Sequence, residues 1–277
     1  ALQQAVINLD RAFANFFDPK LAARYPRFKS KRGRQSTYHC TNVNVGENWI
    51  KIPKMDRIKA RIHRELTGTV KSITLSRTST GKYYASILTE DRRVAPTPVK
   101  TLDQVVGVDM GLSHLLITSE GVKTPNPRFL KHAQANLRRK QKALSRCQKG
   151  SRGRAKARLL AAKAHERLVN ARADLQHNLS RQLIDENQAV VVETLKVKNL
   201  LKNRRLARSI SDASWHSLTE KLAYKAERAG KHLVKIDQWF ASSKTCSCCR
   251  YRMESMPLSV RSWDCPACGT TGIDRDI

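Results

Sequence analysis

The sequence predicts an α+β chain of more than one domain, on three observations. Between Tyr38 and about Arg93, short segments alternate in β-branched and aromatic residues, the period of an antiparallel sheet or small barrel. From Val105 to Asp237, apolar strand-like runs alternate with helical patterns, which implies an α/β layer. Finally, Cys246, Cys249, Cys265 and Cys268 set out two CxxC pairs separated by fifteen residues, the spacing of a zinc ribbon whose hairpin returns the chain to one tetrahedral metal.

Taken in order, ALQQAVINLDRAFANFF places Leu2, Val6, Leu9, Phe13, Phe16 and Phe17 at helical spacing, and Asp18-Pro19 ends the pattern. That pattern is already under way at Ala1, so the native N-terminus, with any targeting segment, is expected to lie outside this sequence. Residues 25–36, YPRFKSKRGRQS, mix rings with closely spaced cations. Such a mixture suits stacking on bases while neutralising phosphates, and equally a solvated basic loop. TVKSITLSRT and KYYASILTE read as paired strands joined by Thr78-Ser79-Thr80-Gly81. Pro96 and Pro98 punctuate a linker into VVGVDMGL, a predicted buried strand, with SHLLITSEG as its antiparallel partner.

Residues 127–181 hold sixteen Lys or Arg and only Glu166 and Asp174 as acids. Leu168, Leu175, Leu179 and Leu183 recur there at spacings of four and seven, so one stripe can pack while other faces collect charge. The expectation is a long helical hairpin, turning at Gly150-Ser151-Arg152-Gly153, that contacts nucleic acid rather than a coiled coil with a solvated basic face. QAVVVETL follows as a second buried strand, SDASWHSLTEKLAYKAERAG as one helix with Gly230 near its end, and KHLVKID as a further strand.

Across 277 residues, 53 Lys+Arg stand against 23 Asp+Glu, a formal charge of +30. Solubility needs a net charge of only about 2–8. An excess this large calls for a polyanion, whose released counterions supply affinity. No run approaches the roughly 18 apolar residues needed to span a bilayer, so no membrane role is expected. Of seven cysteines, Cys40, Cys147 and Cys248 are left over from the metal-like set, which argues against a disulfide framework and for a reducing compartment, the cytoplasm. Cys248 could replace Cys249 in a CxC pair, but that is the less usual knuckle.

Asp109 follows Val105-Val106-Gly107-Val108, Glu193 follows Val190-Val191-Val192, and Asp276 follows the ribbon. Carboxylates at the ends of hydrophobic strands are expensive to bury, and a divalent cation is the usual compensation. Singly, each could be a helix cap or an ion-pair partner. As a triplet in so basic a chain they point to a nuclease. Two Mg²⁺ ions about 3.5–4 Å apart would activate a water and stabilise the leaving oxygen. Mg²⁺ keeps several waters, so three acids suffice. His165, His177 and His216 have no metal spacing, and GxxxxGK[ST], GxSxG and HExxH motifs are absent from the sequence.

GVDMGL, VVVETL, KTCSCCRYRMESMPLSVRSWDCPACG and DRD together resemble the TnpB family, transposon-encoded RNA-guided DNA nucleases related to type V CRISPR effectors. NPRFLK, LSRCQKGSRGRAKAR, HERLVNARADLQHNLS and SDASWHSLTEKLAYKA look like the family's bridging-helix and RuvC segments, and the resemblance runs from about Leu2 to Ile277. It implies a wedge β-barrel with a helical recognition lobe, an RNase H-like RuvC α/β domain and a zinc-ribbon insertion. The implied boundaries are 1–24 for the end of the lobe, 25–100 for the barrel, 101–245 for RuvC, 246–269 for the target-nucleic-acid-binding ribbon and 270–277 for the return to RuvC. By position in the motifs, Asp109 matches the first RuvC acid and Glu193 the second. The family's last motif, DRDxNAAxNI, puts its acid on Asp276 rather than Asp274. Cys246, Cys249, Cys265 and Cys268 match the zinc ligands.

The sequence ends at Ile277, before that motif's Asn, and begins inside what looks like the recognition lobe. Its first knuckle has Cys249-Arg250 where the family often has Cys-Gly. The resemblance further implies Mg²⁺, structural Zn²⁺ and a guide RNA from the transposon end as cofactors, and double-stranded target DNA as partner. It implies a monomer in a prokaryotic cytoplasm, nucleoid-associated when bound to DNA. The alternatives are a nuclease-inactive RNA-guided DNA-binding repressor, a strand-transferring transposase and a guide-free RNA-binding protein.

Overall fold

The computed structural model describes residues 2–27, 36–92, 94–257 and 259–277, so residues 28–35 of the basic aromatic stretch lie outside the described residues. Packing divides the chain into two units, Ala1–Arg93 and Val94–Ile277. No helix among the described residues is long and apolar enough to cross a membrane.

In the first unit, helix α1 (Leu2–Phe17) ends in a cluster of rings. Phe13 and Phe16 meet Tyr25 edge-on, with centroids 5.8 and 5.5 Å away. Asp18 turns the chain there by accepting the Lys20 amide at 2.9 Å. Strands follow as expected: β1 (Thr37–Cys40), β2 (Asn44–Val45), β3 (Trp49–Lys51), β4 (Ile58–Lys59), β5 (Thr69–Arg77) and β6 (Tyr83–Glu90). They form two antiparallel three-stranded sheets, β1-β5-β6 and β2-β3-β4. Fully buried Ile73 pairs with Cys40 on one side and Ile87 on the other. The described residues form no closed barrel, because β2 and β4 are only two residues long and offer little ladder to close one.

The second unit opens with β7 (Val105–Asp109), β8 (His114–Thr118) and β9 (Lys123–Pro125), and continues with α2 (Phe129–Arg146), α3 (Arg152–Glu186) and β10 (Ala189–Glu193). Then come α4 (Val197–Leu200), α5 (Ala207–Ala213), α6 (Trp215–Ala229) and β11 (His232–Ile236). The sheet order is β11-β10-β7-β8-β9, with β10 parallel to β7 and β11, and β8 antiparallel to its neighbours. Val106, Val108, Val190 and Val192 bury one face of it against Leu183, Ile184, Leu218 and Leu222. The runs expected to be buried throughout are therefore buried on one face. A strand's two-residue period sends Gly107, Asp109, Val191 and Glu193 to the opposite side.

Helices α2 and α3 make the expected hairpin, and α3 at 35 residues is about 50 Å long. Ser151 caps α3 by accepting the Arg154 amide at 3.1 Å, and the Arg154 guanidinium donates to the Leu144 and Cys147 carbonyls at the end of α2. The leucine stripe serves two partners. Leu168 packs on Leu137 and Phe129, whereas Leu175, Leu179 and Leu183 pack on the sheet core.

The helix expected over residues 211–230 is two helices. Ser214 breaks it with φ 52°, and the deeply buried Gln176 amide donates to the Ser214 carbonyl at 3.1 Å. Gly230 caps α6 at φ 64°, where an added Cβ would come within 2.8 Å of the Thr97 carbonyl.

After β11 the chain makes a short 3₁₀ turn (Ser242–Lys244) and then a ribbon whose strands β12 (Ser262–Trp263) and β13 (Ile273–Asp274) pair antiparallel. Trp263 packs there with Cys246 and Cys265, flanked by Met253, Met256, Val260 and Ile273.

Candidate active site and metal centre

The register β7–β10 pairs Val108 with Val192, so Asp109 and Glu193 each stand one residue further on, at the carboxyl ends of adjacent parallel strands. Such ends are where open α/β sheets place their sites. Asp276 arrives from beyond the ribbon, and all three acids line one cavity of 480 Å³. Gly107 and Ser119 line it too, Gly107 bringing no side chain into it. The Gly107 amide is held by the Ser119 hydroxyl at 3.0 Å.

Why Asp276 and not Asp274 faces the cavity follows from the last turn. Asp274 accepts the Asp276 amide at 2.9 Å and the Lys123 ammonium at 2.9 Å, which hold its carboxyl below the usual range. Asp274 is thus spent on positioning. Asp276 pairs with Arg261 of the ribbon at 3.3 Å, and Glu193 accepts the Ser242 hydroxyl at 2.8 Å. Burial, then the charges of Glu193 and Asp276, push Asp109 up to about 6, against a smaller pull from the Met110 amide.

The acids fit divalent cations in chemistry: three half-buried oxygen donors, with Asp109 repelled by the other two. Sequence reasoning did not single out Ser119, Lys123, Ser242 or Arg261. None lies in a metal-ligand spacing, and each acts through a partner at least a dozen residues away.

The four cysteines do converge, with sulfurs all within 4.8 Å of one another. Cys246–Cys268 and Cys249–Cys265 are 3.7 and 3.6 Å apart. A tetrahedral zinc with bonds of about 2.3 Å has sulfur–sulfur edges of about 3.8 Å, so the cluster fits the metal. Thr270, through its hydroxyl and amide, brings the Cys268 thiol down to about 6. At Cys249 the Tyr251 amide pulls downward, but Cys268, burial, Cys265 and Cys246 prevail and push it up to about 12.

The two knuckles share a backbone pattern. The Arg250 amide donates to the Cys246 carbonyl at 2.9 Å, and the Gly269 amide to the Cys265 carbonyl at 3.0 Å, with φ of 62° and 73°. Arg250 therefore occupies a glycine conformation. Cys248 is exposed and outside the cluster.

Fold and site together define an α/β protein whose acid-lined cavity is completed by a cysteine ribbon. Residues 86–204 match the family model OrfB_IS605, "Probable transposase", and residues 215–277 match the Cas12f1-like TNB domain. A relative in Streptomyces pristinaespiralis, named as an RNA-guided DNA endonuclease, is 41% identical over 281 residues, covering 100% of this chain and 68% of its own. A relative in Escherichia coli K12, named as RNA-guided DNA endonuclease InsQ, is 32% identical over 283 residues, covering 95% of this chain and 68% of its own. A Cas12f1 chain solved in complex with sgRNA and target DNA aligns at TM-score 0.45 and 14% identity, covering 74% of this chain and 53% of its own. The chain belongs to the TnpB family.

Proposed function

We propose that this chain is the catalytic part of a transposon-encoded, RNA-guided DNA endonuclease, with an RNase H-like RuvC site formed by Asp109, Glu193 and Asp276. The observation that carries the proposal is the convergence on one cavity of three carboxylates 84 and 83 residues apart in sequence, two of them in register at the ends of parallel strands. Divalent cations held there would supply activation of water and charge stabilisation on the leaving oxygen. The chain's own residues do the rest. Asp109 and Glu193 offer oxygens from a rigid sheet, Ser242 orients Glu193, and Asp274 with Lys123 aims Asp276. Arg261 and Arg275 also line the cavity and would meet the phosphate, Arg261 releasing Asp276 to the metal as it does so.

The rest of the assembly follows from the same reading. Cys246, Cys249, Cys265 and Cys268 hold a structural Zn²⁺ that shapes the ribbon. The guide RNA lies on basic surfaces of the wedge segment (residues 25–100) and the α2–α3 hairpin, and base pairing with target DNA supplies sequence specificity. The protein acts as a monomer in the prokaryotic cytoplasm.

The test is to purify the chain with its bound RNA, sequence that RNA, and add Mg²⁺ and a DNA library matched to the RNA's 3′ end. Guide-dependent cutting supports the proposal. Guide-dependent binding without cutting favours the repressor, and joined DNA products favour strand transfer.

A further inference from the structure

Beside the acid cavity lies a second one, of 330 Å³, lined by Thr194, Leu195, Lys196, Leu200 and Trp239 among others. Thr194 directly follows Glu193, and its hydroxyl donates to the Ile236 carbonyl at 2.6 Å, so the two cavities adjoin at the ends of the same two strands. Two rings stand at this place with little packed on them: Trp239 is 77% and Phe240 56% exposed. Asp237 fixes their backbone, its carboxylate accepting the Trp239 amide at 2.8 Å and its carbonyl the Phe240 amide at 3.1 Å. Thr194 also opens a segment, residues 194–211, that carries Lys196, Lys198, Lys202, Arg204, Arg205 and Arg208 and no acid.

An exposed, backbone-fixed tryptophan sharing a cavity with Lys196, the first of six cations in a segment without acids, matches a ligand with a flat apolar face and a negatively charged backbone. We infer that Trp239, with Phe240 and Lys196, forms a stacking platform for an unpaired nucleobase of the DNA strand whose phosphate enters the acid cavity. A base within a duplex has both faces covered, so the platform selects single-stranded substrate and fixes where along the strand the acids act. The inference deepens the nuclease reading and rests on it.

The experiment uses the full chain with its bound RNA, without added divalent metal, and a fluorescein-labelled oligothymidylate carrying one 5-iododeoxyuridine. Irradiation followed by mass spectrometry maps the cross-link, and anisotropy gives the affinity. The expected results are a cross-link at Trp239 or Phe240, binding weakened about tenfold by Trp239→Ala, and most affinity kept in Trp239→Phe. Replacing the contacted base by an abasic site should weaken wild type by the same factor and leave Trp239→Ala unchanged. A cross-link confined to other segments, or Trp239→Ala binding like wild type, overturns the platform. Guided cutting with Mg²⁺ is scored separately. Intact guided cutting without the Trp239 dependence sinks the platform alone, whereas the cross-link without guided cutting sinks the nuclease reading alone.

Discussion

Asp109 and Glu193 stand at the same level of two adjacent parallel strands, one residue past the paired Val108 and Val192, so the sheet brings two like charges together where burial already disfavours one. In metal-free protein Asp109 holds its proton up to about 6, against 3.8 ordinarily. Between those values the folded chain binds more protons than the unfolded one, so this group's contribution to stability falls as pH rises from about 4 to about 6 and is flat above. The difference in urea stability between wild type and Asp109→Asn should follow that curve, and Mg²⁺ should stabilise wild type more at pH 7 than at pH 5. A flat difference across the range would contradict it.

Ser242 donates to Glu193 at 2.8 Å and lines the cavity beside it. Ser242→Ala should slow guided cutting by roughly 10–100-fold and raise the Mg²⁺ concentration needed, because groups that orient metal-holding carboxylates have effects of that size. RNA binding should not change. The Mg²⁺ dependence of cutting at fixed RNA occupancy checks this.

Arg250 sits at φ 62° in the first knuckle where Gly269 sits in the second. Relief of the left-handed strain, less the added freedom of a glycine in the unfolded chain, should make Arg250→Gly more stable by about 0.5–1 kcal/mol. Since the knuckle folds around its metal, zinc affinity in a chelator competition should rise roughly two- to fivefold. Weaker zinc binding would show that Arg250 makes a contact worth more than its strain.

Asp212, only 9% exposed, accepts the Leu130 amide at 2.9 Å and the Arg172 guanidinium at 2.7 Å, tying the start of α2 and the middle of α3 to α5. Removing one partner of a buried pair leaves the other charge uncompensated. Asp212→Ala should therefore lower stability by about 3 kcal/mol in chemical denaturation. A loss under about 1 kcal/mol would place the pair effectively in solvent.

What could be read from the sequence was what covalent spacing dictates. CxxC pairs bring four sulfurs together whatever surrounds them, a leucine stripe with few breakers makes a long helix, and a valine run ending in an acid puts that acid at a strand end. What escaped depends on partners distant in the chain. Nothing local to Ser214 announces that Gln176 will take its carbonyl and split a helix there. Leu168 and Leu175 share a stripe, but the hairpin and the sheet that divide it come from elsewhere. The Asp274–Lys123 contact spans 151 residues, and Asp276 faces the cavity through it. The alternation left sheet or barrel open, and the barrel that the resemblance implied required ladders longer than β2 and β4 provide.

The most direct test of the account is guided DNA cutting with Mg²⁺ by wild type, Asp109→Ala, Glu193→Ala and Asp276→Ala, each with its bound RNA quantified. Each substitution should slow cutting by roughly a thousandfold or more while RNA content stays at the wild-type level. Cutting that survives in any one of the three, or RNA lost along with cutting in all of them, would contradict the three-carboxylate site.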